Sequence, residues 1–132
     1  MRPGALVRYL ALDVGDRRIG LAVGDDVFGV VRPLRTLQRR SVVRDLEALR
    51  AIAEKEEAVA LVIGLPLTLR GEEGPQALRV RRFADACAAL ARPLELVDER
   101  YTTAEAASRG APDLDAGAAT VLLEAFFAGR RR

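Results

Sequence analysis

The sequence predicts a single α/β domain over residues 1–132, with an antiparallel hairpin extending a parallel sheet and helices on both faces. Three observations predict this class. Residues 10–25 hold two short apolar strands joined by a turn rich in glycine and charge. Residues 58–65 form a continuous apolar run, as is typical of a central parallel strand covered on both faces. After the hairpin, helix and strand patterns alternate along the chain.

The first half of the chain is predicted to hold the hairpin, a third strand and one helix. Residues 28–37 are rich in aliphatic side chains, and Pro33 places this strand at an edge or a bulge. Ser41 can cap a helix that runs to about Lys55. Its apolar stripe is expected to pack on the core and consists of Val42, Val43, Leu46, Leu49, Ile52 and Ala53.

A loop, a helix and a strand are predicted to follow the central strand. Residues 67–74 form a glycine-rich loop, and Pro75 stands at the first position of a helix that runs to Ala91. The apolar stripe of this helix comprises Val80, Phe83, Ala84, Cys87, Leu90 and Ala91. Residues 94–97 predict a strand that ends directly in two acids, Asp98 and Glu99.

Two helices are predicted in the last part of the chain. Thr102 or Thr103 can cap a short helix that reaches Ser108. A final helix over residues 115–128 is expected to end at Gly129, leaving Arg130-Arg131-Arg132 as a short basic tail. Asp115 shares a helical stripe with Ala119, Leu122 and Phe126, so its phase points it at the sheet.

The composition restricts the chemistry that the chain can perform. It contains no histidine, which excludes catalysis by Ser-His or Cys-His pairs and every metal site that uses histidine. Hydrolysis would therefore depend on carboxylates, together with hard cations such as Mg²⁺ or Mn²⁺ that prefer oxygen ligands. Lys55 is the only lysine among 21 basic residues, and the arginines suit bidentate contacts to phosphate.

The same composition indicates where the protein works. Cys87 is the only cysteine, so an intrachain disulfide is excluded, and it lies in the apolar phase of a helix as a core thiol. The sequence shows neither an apolar run near the ~20 residues of a membrane span nor a cleavable signal. We therefore expect a soluble, cytoplasmic protein without a membrane partner.

Asp13 is the most conspicuous candidate for a functional residue. It lies within the apolar run of the first strand, where a carboxylate must be hydrogen-bonded, neutralised or bound to a cation. Gly15 and Gly20 allow close approach of a bound group, while Arg17 and Arg18 add donors suited to phosphate. The alternative is an ordinary acid near the tip of a solvated hairpin.

Three acids could meet if the first and last strands are neighbours in the sheet. Asp13 lies within the first strand, Glu99 at the end of the last and Asp115 on the helix that faces the sheet. Such carboxylates repel one another unless cations are bound, and two divalent ions about 4 Å apart would activate a water for phosphodiester cleavage. Phosphate contacts are expected from arginines next to the acids, namely Arg17, Arg18 and Arg100.

Five motifs, in this order, make the chain resemble the YqgF/RuvX family of RNase H-like proteins, described as pre-16S rRNA nucleases and as Holliday junction resolvases. The resemblance covers nearly the whole chain. The motifs are Leu12-Asp13-Val14-Gly15 with Arg18-Ile19-Gly20, Val62-Ile63-Gly64-Leu65-Pro66 with Gly71, Arg82-Phe83-Ala84, Asp98-Glu99-Arg100 with Thr102-Thr103 and Glu105-Ala106, and Asp115 with Ala118-Ala119.

The resemblance implies an RNase H-like fold with a mixed five-stranded sheet and a carboxylate metal site. By position, Asp13 corresponds to the metal ligand of the first strand, Glu99 to the acid at the strand end and Asp115 to the acid of the last helix. Asp98 should point to the opposite face of its strand from Glu99. The resemblance also implies a nucleic-acid partner and Mg²⁺ or Mn²⁺ as cofactor.

Four functions remain open at this point. The resemblance favours a metal-dependent nuclease that acts on RNA in the maturation of pre-16S rRNA. The same chemistry on branched DNA would make it a Holliday junction resolvase, which needs a homodimer to cut two strands symmetrically. A nucleotide-binding module like the actin-like kinases would need two lobes around the nucleotide, and this chain has room for one. A non-catalytic nucleic-acid adaptor would keep the fold without turnover.

Overall fold

The computed structural model describes residues 6–99 and 114–130, which form a mixed sheet with helices on both faces. The strands are β1 Arg8–Val14, β2 Arg18–Asp25, β3 Val31–Pro33, β4 Leu37–Gln38, β5 Ala60–Leu65 and β6 Leu94–Asp98. The helices are α1 Val42–Lys55, α2 Pro75–Ala86, which continues into a 3₁₀ turn Cys87–Leu90, and α3 Leu114–Arg130. The predicted fold class is confirmed.

Strand β1 lies at the centre of the sheet, whose order is β3-β2-β1-β5-β6. It pairs antiparallel with β2 and parallel with β5, and β5 pairs parallel with β6. Both β3 and β4 pair with β2, at Ala22↔Pro33 and Arg18↔Gln38. The predicted third strand is therefore two short strands in one edge position, so the sheet is five positions wide although it has six strands.

The strand order does not meet the condition under which the three acids were expected to converge. Strands β1 and β6 are not neighbours, because β5 lies between them. The parallel strands β1, β5 and β6 nevertheless end at the same edge of the sheet, where open α/β sheets place their ligand sites. Any meeting of Asp13 with Glu99 must therefore cross β5.

The two faces of β1 face different helices. Leu10, Leu12 and Val14 belong to the larger core, which α1 and α2 cover. Tyr9 and Ala11, which alternate with them, belong to a second core under α3. Asp13 is in phase with this second set and so faces α3.

Several of the sheet residues beneath helix α3 are small, which lets the helix pack closely. Ala11, Ala22 and Ala60 form part of the surface on which α3 lies. The helix contributes the large side chains of this core, Leu122, Leu123, Phe126 and Phe127. Small residues under large ones permit the close packing that protein interiors require.

Helix α1 begins as predicted and packs most of the predicted stripe on the core, since Leu49 and Ala53 are buried there and Leu46 and Ile52 lie against them. The Oγ of Ser41 accepts a hydrogen bond from the backbone N–H of Arg44 at 3.1 Å, which caps the helix. Val42 and Val43, predicted to face the core, are 46% and 67% exposed. They lie in the first turn, beyond the part of the helix that reaches the sheet, while Asp45 is buried.

The ends of the other two helices also differ from the prediction. The second helix gives way to a 3₁₀ turn, and Ala91 adopts the left-handed φ of 54° and lies exposed. The last helix continues through Gly129 to Arg130, which the sequence suggested was the start of a tail. The Nη1 of Arg130 donates to the Tyr9 hydroxyl at 2.6 Å, and this contact holds the last turn in place.

Candidate active site

The candidate site lies where the carboxyl ends of β1, β5 and β6 meet the first turn of α3. Asp13 is the penultimate residue of β1, Glu99 follows β6 directly, and Asp115 is the second residue of α3. The sheet is thus the scaffold that brings acids from three distant parts of the chain to one edge.

Glu99 reaches Asp13 because Gly64 on the intervening strand has no side chain. A methyl group at Gly64 would overlap Oε2 and Cδ of Glu99 and would lie 3.2 Å from Cδ2 of Leu122. Gly64 is next to Ile63, whose partner on β1 is Leu12, so it lies beside Asp13. The carboxyl of Glu99 therefore occupies the space above Gly64 and crosses β5 to reach the first strand.

The two carboxyls form a hydrogen-bonded pair in which Glu99 donates to Asp13. Burial, the charge of Asp13, their hydrogen bond and the charge of Asp98 together raise the pKa of Glu99 to about 8. Burial also raises the pKa of Asp13, as does the charge of Asp115, whereas the hydrogen bond from Glu99 opposes the rise. The pair therefore holds a proton near neutral pH when no cation is present.

Asp115 lies beside this pair but its carboxylate is bound to an arginine. The backbone of Asp115 packs directly against Gly20, where a methyl group would come within 3.0 Å of its Cα and would overlap its carbonyl. Gly20 is the cross-strand partner of Asp13. The Nε of Arg18, on the same face of β2, donates to Oδ2 of Asp115 at 2.9 Å.

The structure thus brings together two of the predicted metal ligands and places the third next to them in an ion pair. Within residues 6–99 and 114–130, no three acidic, cysteine or histidine side chains are grouped closely enough to hold a metal ion as they are placed. The donors still fit a hard divalent cation, because carboxylate oxygens are its preferred ligands. A cation would also favour the charged forms that burial opposes in Asp13 and Glu99.

The three arginines predicted to contact phosphate lie in different surroundings. Arg17 is exposed in the turn between β1 and β2, and Arg18 is engaged by Asp115. Arg100 lies outside the described residues, as do the predicted short helix after Thr102 and the loop that precedes Leu114. Asp98, on β6, is exposed, and Glu99 is half-buried.

The sequence reasoning missed a buried ion pair beneath the turn that carries Arg17. Arg39 donates from Nε to Oδ2 of Asp45 at 3.2 Å and from Nη1 to the carbonyl of Gly15 at 2.9 Å. Its backbone N–H donates to the carbonyl of Arg17 at 2.9 Å, and its guanidinium lies 4.7 Å from the centre of the Phe83 ring. The signal was the phase of Asp45, four residues before the buried Leu49.

This pair joins the turn between β1 and β2 to both helices on the opposite face. Asp45 is 2% exposed and also accepts a hydrogen bond from the backbone N–H of Arg40 at 2.9 Å. Because Gly15 lies two residues after Asp13, the pair fixes the chain at the point where β1 leaves the site.

The described residues contain no helix that is both long and apolar enough to cross a membrane.

Comparisons with known proteins point to one family over almost the full length. Residues 7–129 match the family RuvX, described as Holliday junction resolvase. A relative from Anaeromyxobacter sp. (strain Fw109-5), named "Putative pre-16S rRNA nuclease", is 42% identical over 135 residues, which cover 94% of this chain and 98% of that protein. A relative of the same name from Chloroflexus aurantiacus (strain ATCC 29366 / DSM 635 / J-10-fl) is 37% identical over 133 residues and covers 92% of this chain and 87% of its own.

Solved structures support the fold. The chain is similar to Thermus thermophilus RuvC in complex with a Holliday junction substrate, with a TM-score of 0.63, 15% identity and coverage of 95% of this chain and 96% of that one. It is also similar to the large terminase nuclease from the thermophilic phage G20c, with a TM-score of 0.52, 14% identity and coverage of 89% and 58%. At these identities the likeness shows the RNase H-like fold alone.

Proposed function

Because the chain belongs to the RuvX family, we propose that it is a nuclease that hydrolyses phosphodiester bonds with Mg²⁺ or Mn²⁺ as cofactor. Asp13, Glu99 and Asp115 would hold the cation and form the catalytic centre. A cation bound there would lower the pKa of a water molecule and neutralise charge on the leaving oxygen.

The observation that carries this proposal is the buried pair formed by Asp13 and Glu99. Two carboxyls in hydrogen-bond contact, each with a pKa raised mainly by burial, are poorly suited to a purely structural role because burial disfavours their charged forms. Strongly perturbed acids at the carboxyl end of a parallel sheet are typical of functional sites. In this protein, Asp13 and Glu99 would act by binding the same cation.

The arginines beside the acids would position the substrate. Arg17 and Arg18 lie on the turn and strand next to Asp13, and Arg100 follows Glu99 in the sequence. Guanidinium groups bind phosphate oxygens with two parallel hydrogen bonds, which orients a phosphodiester as well as attracting it. We assign these three arginines to phosphate contacts.

The preferred substrate is RNA, and the proposed task is maturation of the 5′ end of pre-16S rRNA. Support comes from the two relatives at 42% and 37% identity, which carry the name of a pre-16S rRNA nuclease. This task would place the protein in the cytoplasm with assembling ribosomes.

A second candidate is resolution of Holliday junctions. The family description and the junction-bound RuvC structure favour it. A resolvase needs two active sites related by a twofold axis, so this function requires a homodimer at working concentration. A monomer by light scattering, both alone and with a four-way junction, would exclude it.

The test compares cleavage of three substrates by the full chain. Single-stranded RNA, duplex RNA and a four-way DNA junction are incubated with Mg²⁺, Mn²⁺ or EDTA, using the original protein and Asp13→Asn. We expect metal-dependent cutting of RNA that Asp13→Asn loses by a factor of at least ~100.

Asp16→Asn is the matched control, because Asp16 lies three residues after Asp13 in the turn that follows β1, is 73% exposed in its side chain and pairs with Arg79. Retained cutting by Asp16→Asn with loss in Asp13→Asn would support the site. Binding without cutting by the original protein, with equal binding by Asp13→Asn, would instead identify a nucleic-acid adaptor.

A further inference from the structure

Arg18 and Asp115 were expected to have separate roles, one toward phosphate and one toward a cation, yet they bind each other. The Nε of Arg18 lies 2.9 Å from Oδ2 of Asp115. The arginine side chain is 54% exposed and the aspartate side chain 34% exposed, so the pair lies at the mouth of the site. An ion pair in this position can open without disrupting either core.

The backbone around the pair is much more firmly held than the pair itself. The first turn of α3 packs against Gly20, directly opposite Asp13, which keeps the backbone of Asp115 close to the site. Arg18 is the first residue of β2, and its carbonyl accepts the backbone N–H of Gly15 at 2.8 Å. The two partly exposed side chains can therefore change partners while the backbone stays in place.

We propose that Arg18 is a latch on the metal site: it neutralises Asp115 in the resting protein and moves to a phosphate when nucleic acid binds, which leaves Asp115 open to a cation. This inference rests on the nuclease function proposed above. It adds that assembly of the full three-carboxylate site depends on the substrate.

The charges at the site supply the reason for the exchange. A phosphodiester brings an anion that can accept two hydrogen bonds from a guanidinium, whereas the present contact uses Nε alone. Once Arg18 has moved, Asp115 adds its carboxylate oxygens and charge to those of Asp13 and Glu99, and a group of three carboxyls attracts a divalent cation. Arg18 and the cation thus compete for the carboxylate of Asp115. Substrate binding favours the cation, because the phosphate takes Arg18 away from Asp115.

The first experiment measures Mn²⁺ binding by isothermal titration calorimetry without nucleic acid, so that it does not depend on activity. Arg18→Ala should bind Mn²⁺ about three- to tenfold more tightly than the original protein, because removal of an exposed ion pair frees Asp115. Arg17→Ala removes the same charge one residue away, and we expect it to change the Mn²⁺ affinity by less than about twofold. Equal or weaker binding by Arg18→Ala would overturn the latch.

The second experiment follows Arg18 directly. The Nε–H resonance of Arg18 is recorded by NMR in EDTA, before and after addition of single-stranded RNA, and is assigned with Arg18→Ala. We expect it to shift on RNA binding, and we expect Asp115→Asn alone to shift it in the free protein. An RNA-bound spectrum in which the Arg18 resonance keeps its free position would mean that Asp115 holds Arg18 permanently, and the latch would be wrong.

Asp13→Asn separates the failure of the latch from that of the proposed function. If Asp13→Asn weakens Mn²⁺ binding but Arg18→Ala leaves it unchanged, the proposed nuclease centre stands and only the latch is wrong. If Asp13→Asn leaves Mn²⁺ binding unchanged, the proposed metal site is wrong, and both proposals fail.

Discussion

At the scale of single residues, the glycine at position 64 determines the geometry of the candidate site, because it has no side chain. Strand β5 separates the strands that carry Asp13 and Glu99, and the pair forms only because Gly64 leaves space for the Glu99 carboxyl. Gly64 does not need glycine for its backbone, since the positive φ values among the described residues are found elsewhere. Its role is therefore the space that it provides.

Gly64→Ala should impair the site without unfolding the protein. The added methyl overlaps the flexible end of Glu99 rather than backbone, so the carboxyl must move while the strand can stay. We expect cleavage to fall on the order of 100-fold with little change in the thermal midpoint. Gly129→Ala is the control, because a methyl there meets nothing within 4 Å. Unchanged cleavage by Gly64→Ala would contradict the arrangement.

The raised pKa of Glu99 makes stability depend on pH when no cation is bound. The pKa rises from 4.5 to about 8 on folding, so between these values the folded state binds more protons than the unfolded state. Stability in EDTA should therefore decrease as the pH rises from about 5 to about 8, by on the order of a few kcal/mol. Urea unfolding at several pH values measures this, and Glu99→Gln should flatten the profile. If the stability of the original protein in EDTA does not change with pH, the raised pKa of Glu99 is contradicted.

At the scale of elements, the turn between β1 and β2 depends on helices on the other side of the sheet. Arg39 connects this turn to α1 through Asp45 and to α2 through Phe83. The candidate acids lie on the sheet face under α3, whereas this support lies under α1 and α2. The two faces of the sheet are therefore coupled at the point where β1 ends.

Asp45→Ala should destabilise the protein by about 3–5 kcal/mol, because it leaves a half-buried guanidinium without its carboxylate. Urea unfolding measures the change. The double variant Arg39→Ala with Asp45→Ala should lose less than the sum of the two single variants, since the pair is lost only once. Additive losses would show that the two residues act independently.

At the scale of the whole molecule, the single cysteine reports on global unfolding. Cys87 is buried in the core under α1 and α2, and burial raises the pKa of its thiol to about 11. The thiol should therefore resist a thiol reagent at pH 8 in the folded protein and react at once in denaturant, because the thiolate is the reactive form. Rapid labelling in buffer would mean that this core opens locally.

The sequence by itself determined the class of the fold and the identity of the candidate acids. Apolar periodicity located the strands and most of the helical stripes, and the absence of histidine directed attention to carboxylates. Local signals such as Ser41 and Pro75 marked the starts of two helices correctly. These features depend on neighbours along the chain, which is why a sequence can specify them.

Only the tertiary structure decided which groups meet. The strand order placed β5 between the acids, and the space above Gly64 then joined Glu99 to Asp13. The close contact of α3 with Gly20 brought Asp115 within reach of Arg18, 97 positions away in the chain. Contacts of this kind follow from sheet order and helix packing, which bring together residues that no local pattern connects.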